Sequence, residues 1–168
     1  MKLAAPRTAA MASTRAGDCA VLLPIKPLGG DGAACDAILR RAVARFGACG
    51  IVVGLDEGDG VGARCAAERG LTAVFEPPRE PFPMCRLWMR MAEAARERLG
   101  ARTVLLLGDD VEMEDAPAML AEVAQLRAEG AACVAVRERL HPAWPTFLAV
   151  DAASSPPPPS ARPCASAS

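Results

Sequence analysis

Three carboxylates close together in one segment are the clearest candidates for chemistry in this sequence. Asp109, Asp110 and Glu112 follow directly after an apolar run at residues 103–107. Neighbouring carboxylates repel one another unless a proton or a cation neutralises them. Oxygen-rich sites of this kind suit Mg²⁺ or Mn²⁺, which are typically held by one or two protein carboxylates together with substrate phosphates. The segment therefore indicates a site for a diphosphate bridged by a metal ion.

A solvated acidic turn is the alternative interpretation of the same segment. Glu114 and Asp115 come next, and acidic side chains at the start of a helix interact favourably with the helix dipole. The residue types alone are compatible with both interpretations.

Two further segments follow apolar runs in the same way. One is KPLGGDG at residues 26–32, and the other is DEGD at residues 56–59. In open α/β sheets ligands bind beside the carboxyl ends of the strands. We therefore predict that Pro24, Asp56 and Asp110 converge on one cleft at that edge of the sheet.

The elements that must position these residues alternate along the chain. Short apolar runs predict strands at residues 19–25, 51–55, 71–75, 103–107 and 131–136. Helical periodicity and stop signals predict helices at residues 38–46, 61–69, 84–99 and 115–130. Strands that are apolar at consecutive positions are buried on both faces, and strand–helix alternation implies parallel crossovers. We predict an α/β fold with a Rossmann-like, mainly parallel sheet flanked by helices.

Several segments, in this order, resemble the glycosyltransferases of the GT-A fold, especially family 2-like enzymes that use nucleotide-diphospho-sugars. TVLLLGDDVEM (residues 103–113) is similar to the strand and Asp-x-Asp region of that family. Asp110 stands at the final aspartate, which helps to hold the divalent cation, whereas Gly108 stands where many members carry the first aspartate.

Two upstream segments and one downstream segment extend the resemblance. In IVVGLDEGD (residues 51–59), Asp56 matches the aspartate that contacts the base or ribose of the nucleotide. In VLLPIKPLGG (residues 21–30), Pro24 matches the usual proline of the strand and loop that cradle the nucleotide. HPAWPTFLAVD (residues 141–151) is similar to the stretch that enters the acceptor half in related algal proteins.

The resemblance implies a GT-A-like domain that binds a UDP- or GDP-linked sugar through Mn²⁺ or Mg²⁺. It implies metal ligation by Asp110 and Glu112, and nucleotide contacts from Pro24, Asp56 and Asp109. Family members generally continue well past the matched region with the acceptor half and the catalytic base. We therefore expect a chain truncated at its C-terminus, with little or no turnover and no assigned catalytic residue.

Other functions remain open from the residues alone. VLLPIKPL also resembles the opening of some guanylyltransferases, although Asp31, Ala33 and Ala34 are not the basic residues that usually follow. A non-catalytic, truncated fragment is a further alternative. A dinucleotide site is disfavoured because the third glycine of G-x-G-x-x-G is missing after residues 30–32. A haloacid dehalogenase-like phosphatase is disfavoured because Glu57 stands in the place of its nucleophilic aspartate.

Composition excludes several classes of partner. The 168 residues include 52% hydrophobic residues, 19 Lys and Arg, and 20 Asp and Glu, which favours one globular domain without the basic surface of a nucleic-acid-binding protein. No segment has the roughly 20 apolar residues that a membrane helix needs.

Seven cysteines without a C-x-x-C pair, and a single histidine, argue against a zinc site. They favour buried free thiols in a reducing compartment, with the cytoplasm as the expected location.

The two ends of the chain differ in composition from the middle. Residues 1–18 are rich in Ala, Arg, Ser and Thr and are predicted to be disordered or an organelle-targeting segment. Residues 152–168 are rich in Pro, Ser and Ala and are predicted to be a disordered tail. The predicted nucleotide-sugar-binding domain is thus residues 19–151.

Three other side chains have simpler interpretations. Trp88 and Met91 are predicted to pack in the core rather than to form an acceptor platform. Arg86 is within reach of a diphosphate, but a solvated helix face is the preferred interpretation.

Overall fold

A computed structural model describes residues 18–26, 31–78, 84–108, 115–131, 133–137 and 145–151 of the chain. The strands are β1 (Cys19–Pro24), β2 (Gly50–Asp56), β3 (Thr72–Glu76), β4 (Thr103–Leu106), β5 (Cys133–Arg137) and β6 (Pro145–Asp151). The helices are α1 (Gly32–Phe46), α2 (Gly60–Glu68), α3 (Met84–Leu99) and α4 (Ala116–Ala128). The predicted site residues Asp109, Asp110 and Glu112 lie outside the described residues, as do both predicted disordered ends apart from Asp18.

The strands form one sheet in the order β3-β2-β1-β4-β6-β5. β1 pairs in parallel with β2 and β4, and β2 pairs in parallel with β3. The predicted α/β class with a mainly parallel sheet is therefore confirmed. From β1 the sheet continues through β2 to β3 on one side, whereas β4 lies on the other side of β1. The direction in which successive strands are added therefore reverses between β3 and β4.

The strand β6 was not among the predicted strands. It lies between β4 and β5 and pairs antiparallel with both. Residues 138–144, which join β5 to β6, are too few for a parallel crossover, which needs about a dozen residues or more. The two strands can therefore be neighbours only as an antiparallel pair, and the alternation of strands and helices ends at β5.

Helix α1 begins at Gly32, well before the predicted start at residue 38. The Asp31 carboxylate caps it by accepting hydrogen bonds from the backbone N–H groups of Ala33 and Ala34, at 3.0 and 3.1 Å. An N-cap of this kind satisfies donors that a helix otherwise leaves unpaired. The early start was missed because the apolar periodicity becomes visible only from Ile38 onward.

The sheet has an apolar layer on each face. Alternate strand residues such as Val21 and Leu23 pack against α1, α2 and α4, whereas their neighbours Ala20 and Leu22 pack against α3. On the α3 face, Met91 is fully buried and Trp88 is half-buried against the same cluster, so their predicted role in core packing is confirmed. No helix in the described ranges combines the length and the apolar character required to cross a membrane.

Gly54 of β2 lies directly beneath α3, with no room for a side chain. A Cβ atom there would lie 2.6 Å from the Met91 sulfur and 3.0 Å from Leu87 Cδ2. Both side chains are buried and have little room to move. We expect Gly54→Ala to lower the free energy of unfolding by about 1–3 kcal/mol, the usual cost of overpacking. Urea unfolding measures this, with Gly60→Ala as the matched control because its added Cβ would meet nothing within 4 Å.

Candidate functional site

The carboxyl ends of the parallel strands bring two of the predicted site residues to one edge of the sheet. Pro24 ends β1 and is paired in register with Gly54, and Asp56 ends β2 two residues further on. After β4, the backbone N–H of Leu107 donates to the carbonyl of Leu22 at 3.0 Å, so the chain continues along β1 to Gly108. Pro24, Asp56 and Gly108 therefore share the carboxyl edge, as predicted for the first two.

Asp109 and Asp110 are the two residues that follow Gly108 in the sequence, but both lie outside the described residues. The predicted convergence of Asp110 with Pro24 and Asp56 thus stays a prediction. Among the described residues, no three His, Cys, Asp or Glu side chains come together as a metal site. A divalent ion is typically held by one or two protein carboxylates together with substrate phosphates, and we expect the acidic segment at residues 109–114 to contribute these carboxylates.

The carboxyl ends of β2, β1 and β4 lie side by side in the sheet. Helices α1 and α4, which follow β1 and β4, pack on the same face, so the space for a ligand is at the strand ends themselves. Neighbouring strands lie about 4.8 Å apart, so the end of β2 is roughly 10 Å from the end of β4. A ligand seated over β1 can therefore contact Asp56 at one end and the segment after Gly108 at the other.

The helix N-termini beside this edge are already occupied by aspartates. Asp31 caps α1, and the Asp59 carboxylate accepts a hydrogen bond from the backbone N–H of Gly62 at 2.9 Å at the start of α2. In dinucleotide-binding folds the N-terminus of the first helix holds the pyrophosphate. The Asp31 carboxylate takes that position here, which agrees with the sequence argument against a dinucleotide site.

The carboxylate of Asp56 at this edge has a shifted acidity. Partial burial raises its pKa, and the nearby negative charge of Asp59 raises the pKa further. Both effects disfavour the ionised form of Asp56. A cation or a hydrogen-bond donor on a ligand would relieve this penalty.

The raised pKa of Asp56 has a consequence for stability. Because the folded protein holds this proton more tightly than the unfolded chain, ionisation of Asp56 destabilises the fold as pH rises above the ordinary aspartate value of 3.8. We expect Asp56→Asn to increase the free energy of unfolding at neutral pH by less than ~1 kcal/mol, since the side chain is partly exposed. This gain should shrink as pH falls toward 3.8, where the carboxyl group is increasingly protonated in both states.

Urea unfolding between about pH 3 and 8 follows the effect across the relevant range. Glu57→Gln removes the same charge from the exposed neighbouring position and should change little at any pH. A gain for Asp56→Asn that is equal at all pH values would contradict the electrostatic cause.

Glu76 is a charged group of this edge that the sequence analysis missed. It ends β3, is paired in register with Asp56, and its side chain is fully buried. Arg90 Nη1 donates to Glu76 Oε2 at 2.8 Å and to the Phe75 carbonyl at 2.6 Å. Arg86 Nε lies 3.0 Å from Glu76 Oε1, an ion pair without a well-directed hydrogen bond. A buried carboxylate held by two arginines fixes the end of β3 to α3.

The preferred interpretation of Arg86 as part of a solvated face was therefore incomplete. Its side chain is 53% exposed, yet its guanidinium contacts a carboxylate with no exposure at all. The available signal was the spacing of Arg86 and Arg90, four residues apart on one face of α3, after a glutamate at a strand end. Helical periodicity does not show which residues of different elements contact one another. The spacing of the two arginines therefore did not identify their ion pairs with Glu76.

Comparison with known proteins does not assign the chain to a family. No protein-family model matches the chain, and no curated protein is significantly similar to it. Function therefore has to be inferred from the fold and from the residues at the carboxyl edge.

Proposed function

We propose that this domain binds a nucleotide-diphospho-sugar at the carboxyl ends of β1, β2 and β4 through a divalent cation, as the donor-binding part of a GT-A-like glycosyltransferase. The observation that carries the proposal is the shared edge. Pro24 and Asp56 lie at this edge, and the acidic segment begins in the sequence immediately after Gly108, which lies there too. Ligands of open α/β sheets bind outside the carboxyl ends of the strands.

Each residue has a distinct role in the proposed complex. Asp56 accepts hydrogen bonds from the base or ribose, and Pro24 shapes the floor at the end of β1. Asp109 contributes to the nucleotide contacts. Asp110 and Glu112 hold Mn²⁺ or Mg²⁺, whose positive charge, when the ion is bound, stabilises the diphosphate as a leaving group.

The charge of the edge explains why the proposal includes a cation. Asp31, Asp56, Glu57 and Asp59 lie in the strand ends and helix starts of this edge, and a bare diphosphate would be repelled by them. The raised pKa of Asp56 shows that negative charge is already disfavoured there. A divalent ion between the carboxylates and the diphosphate removes the repulsion.

Binding of the donor is separate from transfer of the sugar. Metal and nucleotide contacts hold a leaving group, but transfer also needs a positioned acceptor and a base for its proton. The described residues have no assigned base, and the proposal is limited to donor binding. The catalytic step of a complete enzyme would need the acceptor-binding part.

Titration calorimetry with UDP and GDP, in Mn²⁺ and in EDTA, tests the proposal. Metal-dependent binding of either diphosphate supports it. Equal affinity in Mn²⁺ and EDTA would reject the metal-bridged site. A clear preference for the nucleoside triphosphate over the diphosphate would instead favour the nucleotidyltransferase alternative.

A further inference from the structure

Two cysteines lie side by side at the opposite edge of the sheet. Ala20 of β1 is paired in register with Gly50 of β2, and Cys19 and Cys49 each stand one residue before that pair. Adjacent strands are about 4.8 Å apart, and disulfides typically join Cα atoms separated by about 4.4–6.8 Å. The backbone positions therefore suit a disulfide.

The two side chains also lie on the same face of the sheet. Cys19 belongs to the apolar cluster beneath α1, α2 and α4, and Cys49 packs against that cluster. Each thiol shifts the pKa of the other, as close neighbours do. A disulfide between them needs little movement of the backbone, because the parallel register places the two residues side by side on one face.

The pair is asymmetric in exposure and acidity. Cys19 is buried, whereas Cys49, in the bend before β2, is half-buried. The neighbouring Cys19 thiol lowers the pKa of Cys49, whereas Cys49 and burial raise the pKa of Cys19. Cys49 is thus the more accessible thiol of the pair and the one that ionises more readily, and the thiolate is the reactive form of cysteine.

We propose that Cys19 and Cys49 are an oxidation site that forms a reversible intramolecular disulfide in the presence of a hydroperoxide. The Cys49 thiolate attacks the peroxide, breaking the O–O bond and forming a sulfenic acid, while the leaving alkoxide or hydroxide takes up a proton. The Cys19 sulfur then attacks the sulfenic sulfur, and the S–S bond forms as water leaves with the Cys19 proton. The peroxide is reduced by two electrons, and the two thiols are oxidised by two.

The second cysteine pair of the described residues provides an internal comparison. Cys35 of α1 and Cys65 of α2 are both buried. Burial and the neighbouring Cys65 raise the pKa of Cys35 to about 11. Both thiols of this pair are buried, whereas Cys49 is half-buried, so a peroxide has less access to Cys35 and Cys65. We therefore expect this pair to remain reduced under conditions that oxidise Cys19 and Cys49.

Mass spectrometry can identify the disulfide directly. The full chain is treated with a small excess of hydrogen peroxide, free thiols are alkylated, and the protein is cut with trypsin and Asp-N. These proteases place Cys19, Cys35, Cys49 and Cys65 on separate peptides, at residues 18–30, 31–35, 46–55 and 65–69. We expect the cross-linked product of residues 18–30 and 46–55 to predominate, to disappear on reduction and to be absent from Cys49→Ser.

The role of Cys19 has its own test, which does not depend on the cross-link. The rate at which iodoacetamide alkylates Cys49 is measured against pH in the parent, in Cys19→Ala and in Cys19→Ser. Loss of the neighbouring thiol in Cys19→Ala should raise the pH midpoint and slow alkylation at neutral pH by roughly three- to tenfold. Cys19→Ser retains an O–H donor and should stay closer to the parent, with circular dichroism confirming that each variant is folded.

Three results would overturn the proposal. One is recovery of Cys49 as a stable sulfinic acid while Cys19 is still alkylated as a free thiol. Another is preferential oxidation of Cys35 and Cys65. The third is a Cys49 alkylation profile that is the same in Cys19→Ala as in the parent.

Discussion

We expect UDP and GDP to bind on the order of tenfold more tightly, or better, in Mn²⁺ or Mg²⁺ than in EDTA, which corresponds to at least about 1.4 kcal/mol. The reason is electrostatic: the diphosphate and the carboxylates at the end of β4 are all anionic, and a divalent ion between them converts repulsion into attraction. Asp110→Ala should abolish the metal-dependent part of the affinity. Calorimetric titrations of the parent and the variant, each with and without Mn²⁺, measure the difference.

Asp56→Ala should act differently from Asp110→Ala. Asp56 is proposed to contact the base or ribose, so its loss should weaken nucleotide binding whether or not metal is present. Glu68→Ala is the matched control, because this exposed carboxylate is at the end of α2, away from the carboxyl edge. Insensitivity of both the parent and Asp110→Ala to metal would reject the assigned metal site. Unchanged affinity in Asp56→Ala would reject the proposed place of the nucleotide over β1 and β2.

The largest loss of stability is expected at Glu76. Glu76→Ala should lower the free energy of unfolding by about 2–4 kcal/mol, because it removes a buried carboxylate and its charged contacts with two arginines that are themselves about half-exposed. For a chain of this size each kcal/mol corresponds to roughly 2–4 °C, so the midpoint of thermal unfolding should fall by about 10 °C. Glu76→Gln keeps the shape of the side chain and separates the effect of charge from the effect of packing.

An exposed glutamate on the facing helix provides the control for Glu76. Glu93→Ala on α3 changes the same residue type without removing a buried ion pair, and should alter stability by no more than about 0.5 kcal/mol. Both variants can be compared by urea and thermal unfolding. A Glu76→Ala variant as stable as Glu93→Ala would show that the buried ion pairs do not anchor β3 to α3.

Local patterns were sufficient to predict most of the elements. Helix α3 has the predicted bounds at residues 84–99, because its apolar positions recur at helical spacing and Gly100 ends it. Strands β1 and β2 were predicted from short apolar runs, since parallel strands buried on both faces show no polar alternation. The start of α1 was less accurate, because a capping aspartate can extend a helix beyond its visible apolar face.

The residues of the candidate site were also predicted only in part. Asp56 was identified because it directly follows an apolar run, and Pro24 because it matches a proline in the family that the sequence resembles. Parallel pairing then requires the ends of β1 and β2 to share an edge. Glu76 has the same position relative to β3, yet it was missed because nothing local distinguishes a buried glutamate from an exposed one. Its burial depends on α3, which brings Arg86 and Arg90 over the end of the strand.

The sequence by itself determined the α/β class, the parallel strands at the start of the chain and the strand ends at which ligands can bind. These properties follow from periodicity and chain order, which depend on neighbouring residues. Only the tertiary structure decided the place of β6 between β4 and β5, the Glu76 ion pairs and the position of Cys19 beside Cys49. Each of these joins residues on different elements. Their pairing is set by strand register and helix packing across the whole sheet, which no local pattern specifies.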